Sequence, residues 1–302
     1  MTKIIILLST YNGAKYLKNQ IDSLLSQSYD DFRIIARDDG SSDESLEILK
    51  SYNTIELIDS NSNLGSTHSF AILLDYALRE TKADYFMFCD QDDVWHKDKI
   101  SITLSKMHQM QQTFEEMPLL VHTDLEVVDE RLHAISSSLM RFQYLNADKD
   151  TLRDLVMQNH ITGCTMMLNR KLVKKSLPIP NEAIMHDWWI GLVASTFGKI
   201  GFIDQPTLGY RQHTHNAVGA KQFDLPFILK KISKKLELYP NTSQAKAFLE
   251  HYRDQLDNNE IEMLEAFSVL CEKTWREKRV ILLRYRLLKQ GFIRNIGLFL
   301  KI

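Results

Sequence analysis

Lys3-Ile4-Ile5-Ile6-Leu7-Leu8-Ser9-Thr10-Tyr11-Asn12-Gly13 is an apolar run of strand length that stops in a polar cluster. A short, uniformly apolar run bounded by turn residues is the pattern of a strand buried on both faces, as in a parallel sheet. The texture recurs three times. Residues 32–37 end in Asp38-Asp39-Gly40-Ser41, residues 55–59 lead to a polar cluster from Asn61 to Gly65, and residues 85–89 end in Asp90-Gln91-Asp92-Asp93. Between the runs lie apolar residues at helical spacing: Leu17, Ile21, Leu24 and Leu25, then Leu46 and Leu49, then Phe70, Leu73, Leu74 and Ala77. This alternation predicts an α/β fold with a mostly parallel central sheet flanked by helices. Such a sheet presents its ligand at the carboxyl ends of its strands, where all four polar clusters fall.

Composition sets the class. The 302 residues are 44% hydrophobic and 25% charged, the balance of a globular protein with a sizeable core, and 11 Gly and 6 Pro are too few for a disordered or fibrous chain. A net charge of −2 supplies no field that would drive the whole molecule onto nucleic acid, and no stacking motif points there either. Cys89, Cys164 and Cys271 are odd in number and far apart, which excludes a disulfide scaffold and a cysteine zinc site. The apolar N-terminal run is too short for a signal peptide, and no stretch approaches the ~20 apolar residues of a membrane span. The expected location is the cytoplasm.

From about 100 to 215 the pattern becomes α+β. A helix is expected over 98–112, strands over 119–122, 125–128 and 161–168, a helix over 188–197, and strands over 199–203 and 207–210. Beyond 220 helical spacing and charge dominate. Residues 276–302 hold eight Lys/Arg against one acid, Glu277, for +7, leaving −9 on the rest. Laid on one helix, Ile281, Tyr285, Leu288, Phe292, Ile296 and Phe299 form an apolar stripe opposite Arg279, Arg286, Gln290, Arg294 and Lys301. A basic amphipathic helix of this kind suits an anionic membrane surface.

There is no GxxxxGK[ST], and no GxGxxG after a strand, so the usual glycine phosphate cradles are missing. Asp90, Asp92 and Asp93 after an apolar strand are instead hard oxygen ligands of the kind Mg²⁺ or Mn²⁺ takes, with substrate phosphates completing the shell.

Ser-Thr-Tyr-Asn-Gly at 9–13, Arg-Asp-Asp-Gly-Ser-Ser-Asp at 37–43, Asn-Leu-Gly at 63–65 and Asp-Gln-Asp-Asp-Val-Trp at 90–95 resemble the successive signatures of family 2 glycosyltransferases. These are inverting enzymes of the GT-A nucleotide-diphospho-sugar transferase fold. The likeness continues more loosely through Thr162-Gly163-Cys164, His186-Asp187-Trp188-Trp189 and Tyr210-Arg211-Gln212-His213, and is nearest the bacterial rhamnosyltransferase branch. The resemblance implies a GT-A domain over 1–219, with a nucleotide-sugar-binding half (1–100) and an acceptor-binding half (101–219). A helical C-terminal extension over 220–302 lies outside the shared pattern.

It also implies roles. Thr10, Tyr11 and Asn12 would line the base and ribose pocket, and Asp39 would accept the N3–H of a uracil or thymine ring. Asp38 would support its turn, and Asn63 and Gly65 would let the backbone approach the nucleotide. Asp92 and Asp93 would bind a divalent cation completed by His213, with His215 as the spare histidine, while Asp90 faces the ribose. Asp187 would be the catalytic base, desolvated by Trp188 and Trp189; an Asp before a helix also suits an N-cap. Gly163 would allow close approach to the donor or acceptor, Arg211 would pair with a phosphate, and His186 would support its neighbour.

The expectation is an inverting, metal-dependent transferase that moves L-rhamnose from dTDP-L-rhamnose. The acceptor would be a lipid-linked polysaccharide of capsule, O antigen or cell wall at the inner face of the membrane, and the enzyme could form a homo-oligomer. The alternatives are a UDP-hexose or UDP-galactofuranose donor, or a non-catalytic nucleotide-sugar-binding scaffold subunit.

Overall fold

The computed structural model describes residues 3–60, 62–214, 219–220 and 237–302. Its first part is β1 (Ile4–Thr10), α1 (Ala14–Leu25), β2 (Phe32–Asp38), α2 (Ser45–Lys50), β3 (Ile55–Ile58), α3 (Ser66–Glu80) and β4 (Tyr85–Cys89). These four strands pair in parallel in the order β3-β2-β1-β4. Side chains of β1 alternate as a pleated strand requires: Ile5 and Leu7 join a core under α3, whereas Ile4, Ile6 and Leu8 join one under α1. Burial on both faces is why the run carries no polar residue.

The chain runs outward from β1 through β2 to β3 and then returns to place β4 on the other side of β1. The crevice beyond the carboxyl ends of β1 and β4 is therefore the topological switch point, the place where such sheets bind ligands.

The sheet continues as β4-β8-β6-β9-β5, with β5 at Val94–Trp95, β6 at Leu119–Val128, β8 at Met166–Asn169 and β9 at Lys199–Arg211; β7 (Ala134–Ser136) pairs with β6. β8 runs antiparallel to both neighbours, while β6 and β9 are parallel to each other. The pairs of short strands expected over 119–128 and 199–210 are each one continuous strand. Their register shifts where Thr123 faces Ile203 but Asp124 faces Pro206. Asp204 and Gln205 bulge out at a proline that lacks a ladder donor, so a turn-like sequence bends the strand without ending it. The strand expected over 161–168 starts late, because Gly163–Thr165 is a 3-10 turn that leads into β8.

The helices of this half are α4 (Lys99–Thr113), α5 (Leu139–Phe142), α6 (Leu152–Met157), α7 (Arg170–Ser176) and α8 (His186–Phe197). Among the described residues four more follow: α9 (Tyr239–Tyr252), α10 (Asn258–Ser268), α11 (Trp275–Arg284) and α12 (Phe292–Lys301). Phe248, Phe267, Leu282 and Leu298 from these last helices share one core with Phe70 of α3 and Trp189 of α8.

The single basic amphipathic helix expected over 276–302 is corrected. The helix breaks between α11 and α12, with Arg286 at φ 52° and Gly291 at φ 83°. Glycine adopts that left-handed conformation at little cost. Leu282, Leu287 and Leu298 are the apolar residues it buries, with Gln290 between them. Arg279 Nη1 donates to the Ile302 carbonyl at 2.9 Å and Arg294 Nη1 to the Tyr144 carbonyl at 3.2 Å, so two arginines of the expected solvent face lie against the protein.

Gly198 ends α8 and hands the chain to β9. A Cβ there would stand 2.2 Å from the Pro118 carbonyl oxygen. Gly198→Ala should destabilise the fold by about 1–3 kcal/mol through overpacking, read as a lowered midpoint in urea unfolding.

Candidate active site

The polar ends of β1, β2 and β4 open on a cleft of about 660 Å³, a volume that accommodates a small molecule of the size of a nucleotide sugar. Tyr11, Asp39, Asp90, Asp92, Gly163 and Asp187 all line it. Thr10, Asn12, Asp93, Arg211 and His213 do not.

On the β1–β2 side the carboxylates first shape backbone. Thr10 Oγ1 donates to Asp38 at 2.9 Å, and Asp38 also accepts from the Ser41 N–H at 2.9 Å and its hydroxyl at 2.6 Å. Asp38 thus closes its own turn, as expected. Asn12 is left-handed at φ 49°, and its amide oxygen accepts the Ser42 N–H at 2.8 Å. Asp39 is buried against Arg37, which donates to it, and it accepts the Leu64 and Gly65 N–H groups at 2.9 and 2.8 Å. This fastens residues 62–65 to β2. Asn63 accepts the Gly65 N–H at 3.2 Å, and Gly65 sits at φ 80° with nothing within 4 Å of the place a Cβ would take. The backbone there is open to a ligand, and the side-chain-free conformation fits the close approach expected of it.

Gln91, which the sequence reading passed over, bridges the switch point. It accepts the Tyr11 N–H at 2.7 Å and donates to the Tyr11 carbonyl at 3.0 Å. A Cβ on Gly13 would lie 2.2 Å from the Gln91 amide oxygen, so a larger residue there would displace this bridge.

At the acidic turn the aspartates divide. Asp92 faces the cleft and accepts from His213 Nε2 at 2.8 Å, while His213 stacks on Tyr16 at 4.8 Å between ring centroids. Histidine and aspartate expected at one ion are thus brought together; His215 lies outside the described residues. Asp93 is fully buried, accepts the Arg211 N–H at 3.2 Å, and shares a group with Asp90 and Cys164 whose donor atoms all lie within 4.8 Å. Burial pushes the Asp93 carboxyl well above the usual carboxylate range, with Asp92 and Asp90 adding to the rise. Asp90 is pushed up to about 7 by burial and then by the charges of Asp92 and Asp187.

Arg211, expected at a phosphate, is 3% exposed instead. Its Nε donates to the Asp92 carbonyl and Nη1 to the Glu130 carbonyl, both at 2.8 Å, and its guanidinium lies 4.7 Å from the Tyr16 ring centroid. It braces the turn from behind. Lys99, a second cation that no pattern singled out, is fully buried 4.7 Å over the Trp95 ring and donates to Thr207 Oγ1 at 3.1 Å. Burial lowers its amine to about 8, against the pull of Cys164, Cys89 and Asp93.

Asp187 lines the same cleft, from α8. It lies in the first turn of α8, whose N-cap is Met185, so the N-cap alternative is corrected. Its Oδ2 accepts the Gly163 N–H at 2.9 Å and its Oδ1 the Asn159 amide at 3.3 Å. Burial raises its carboxyl to about 6, against the lowering effect of the Gly163 and Trp188 N–H groups. A Cβ on Gly163 would sit 2.9 Å from His186 Nε2 and 3.5 Å from Asp187 Cβ. The close approach that glycine permits is therefore with α8. Trp188 lines the cleft and donates to the Leu155 carbonyl at 2.6 Å. Trp189, expected beside it, is turned into the core, where it donates to the Ser176 carbonyl and packs on Phe248. Adjacent helix positions point about 100° apart, so the two rings could not share one wall. His186 is wedged between Phe70 and Phe88, and burial lowers its imidazole to about 3.

The arrangement places a carboxylate with a raised affinity for protons across one cleft from an acidic turn. That is the geometry of proton removal on one side and charge neutralisation on the other.

Comparison with known proteins follows the same lines. The profile of Glycosyl transferase family 2 matches residues 5–177. The dTDP-rhamnosyl transferase RfbG of Shigella flexneri is 26% identical over 228 residues, covering 70% of this chain and 74% of RfbG. The teichoic acid poly(glycerol phosphate) polymerase of Staphylococcus epidermidis is 27% identical over 179 residues, 58% of this chain but 23% of the polymerase. Two other curated relatives are likewise spanned over only about half their length, 51%. Among solved structures, S. aureus TarS 1-349 in complex with UDP-GlcNAc superposes with a TM-score of 0.56 at 15% identity, covering 94% of this chain and 85% of that one. The mannosyltransferase PcManGT from Pyrobaculum calidifontis, in complex with GDP-Man and Mn²⁺, does so with 0.56 at 12% identity, covering 99% and 78%. The fold is GT-A-like.

Arg37→Met would leave the buried Asp39 carboxylate without its cation. It should cost about 3–5 kcal/mol of stability in urea unfolding, the range for breaking a buried pair from one side.

Proposed function

The chain belongs to glycosyltransferase family 2, and we propose that it is an inverting enzyme that transfers L-rhamnose from dTDP-L-rhamnose to a lipid-linked polysaccharide acceptor. The observation that carries the reading is that Asp187 lines the same cleft as Asp90 and Asp92 of the acidic turn. The donor assignment draws on the likeness to RfbG, and the polysaccharide context on the relatives in bacterial polymer synthesis.

In this mechanism Asp187 Oδ takes the proton of the acceptor hydroxyl as that oxygen bonds to the anomeric carbon. The bond from that carbon to the nucleotide diphosphate breaks on the opposite face, and its electron pair leaves with the diphosphate. Gly163 N–H and Asn159 aim the carboxylate, and Trp188 keeps water from it. Tyr11, Asn12 and Asp39, with Asn63 and Gly65, form the nucleotide end, and Asp90 lies at the ribose.

The residues fit a divalent cation, Mn²⁺ or Mg²⁺. Asp92 pairs with His213, Asp93 stands behind them, and burial followed by the charges of Asp92 and Asp187 raises Asp90 to about 7; a cation would relieve the part of that rise due to repulsion. Such an ion supplies neutralisation of the charge that develops on the diphosphate. Cys164 is a poor ligand, because burial and the neighbouring carboxylates hold its thiol well above the ordinary range.

Asp187→Asn should lower turnover by about 10²–10⁴-fold while donor binding survives; unchanged turnover would remove Asp187 from its role and leave a binding subunit as the better reading. Because the base must be ionised, kcat should rise with pH through about 6 and level off above it. Chelation should suppress transfer, added Mn²⁺ should restore it, and Asp92→Asn should blunt the restoration. A panel of dTDP- and UDP-sugars separates donors; activity with UDP-sugars alone would refute rhamnose in favour of a UDP-hexose or UDP-galactofuranose.

A further inference from the structure

We propose that the last two helices are a docking element for an anionic lipid surface, through a face different from the stripe that the sequence pattern suggests. On α12, Phe292, Ile293, Ile296 and Leu300 are 80, 48, 44 and 77% exposed. At 100° per residue they fall within an arc of about 100°, so they form one apolar face and are not scattered positions. The opposite side, at Leu298, is buried in the core and anchors the helix. On α11, Val280 and Leu283 are each 62% exposed and fall in one arc with Arg276 and Arg284, both exposed. Apolar and cationic side chains therefore alternate on its outer surface.

Isolated exposed apolar residues need no explanation, but a contiguous set does. Charge selects the occupant. With +7 on residues 276–302, a second copy of this chain seated on the same face would bring like charge against like charge. A surface of anionic headgroups over hydrocarbon complements both properties at once: the apolar face enters the boundary and the arginines meet the phosphates.

The element is wired to the cleft. Between the two helices, the Gln290 carboxamide lies 3.3 Å from His160 Nδ1 and accepts the Asn146 N–H at 2.6 Å, and its own N–H donates to Gln158 at 3.0 Å. Arg294 donates to the carbonyls of Gln143 and Tyr144. Gln143 and His160 line the cleft beside Asn159, the partner of Asp187. A bilayer that holds α11 and α12 is thereby linked through a few hydrogen bonds to the wall that receives the acceptor. This last step relies on the lipid-linked acceptor proposed above; docking itself does not.

The test is flotation of the full chain with phosphatidylcholine vesicles, with and without phosphatidylglycerol, a readout independent of sugar transfer. The wild type should float with the anionic vesicles and not with the neutral ones. The triple substitution Phe292→Ser, Ile296→Ser, Leu300→Ser should lower the bound fraction about tenfold, and so should Arg276→Glu with Arg284→Glu. Should the triple variant fail to fold, the charge variant decides alone. No flotation of the wild type, or flotation that neither set of substitutions changes, overturns the proposal. So does a concentration-dependent dimer that the triple substitution splits, which assigns the face to a second copy.

Discussion

Four carboxylates are held together where water is scarce, and that constraint organises everything around them. Asp90, Asp93 and Asp187 all bind protons more tightly than a free aspartate, chiefly through burial. An ionised carboxylate in such a place is costly unless it is paired or hydrogen-bonded. The protein answers from the rear with Arg211 and Lys99, and at the α8 wall with the Gly163 N–H and Asn159.

This separates two jobs within one short acidic turn. Asp93 faces inward, where it holds the end of β9 through the Arg211 N–H, and Asp92 faces the cleft beside His213. The same division holds on β2, where Asp38 shapes a turn and Asp39 fastens the next loop. In each pair one carboxylate is part of the frame and its neighbour reaches the space the frame encloses.

The parallel half of the sheet was legible in the sequence because burial on both faces leaves a continuous apolar run, and β1, β2, β3 and β4 end within a residue of their expected limits. The middle was harder to read. Asp204-Gln205-Pro206 carries turn chemistry, yet cross-strand pairing with β6 keeps the chain extended through it. The tail misled for a related reason: its period fits a single helix, whereas packing of Leu282, Leu287 and Leu298 on the common core demands a break between them. At the site, Asp187 and the Asp92–His213 pair were readable because a resemblance carried them. Gln91, Lys99, Asn159 and His160 were not, since each acts through a partner distant in sequence. Gln91 alone left a signal, as the amide set among the acids of its turn.

The hydrogen bonds that join Gln290 and Arg294 to residues 143–160 bear on how the chain may be recombined with its relatives. A tail grafted from another transferase would arrive without the carboxamide and guanidinium that meet the His160 imidazole and the carbonyls of residues 143 and 144, and would loosen this wall of the cleft even if it packed on the core. Exchange of the two segments as a unit is the modular boundary that these contacts define.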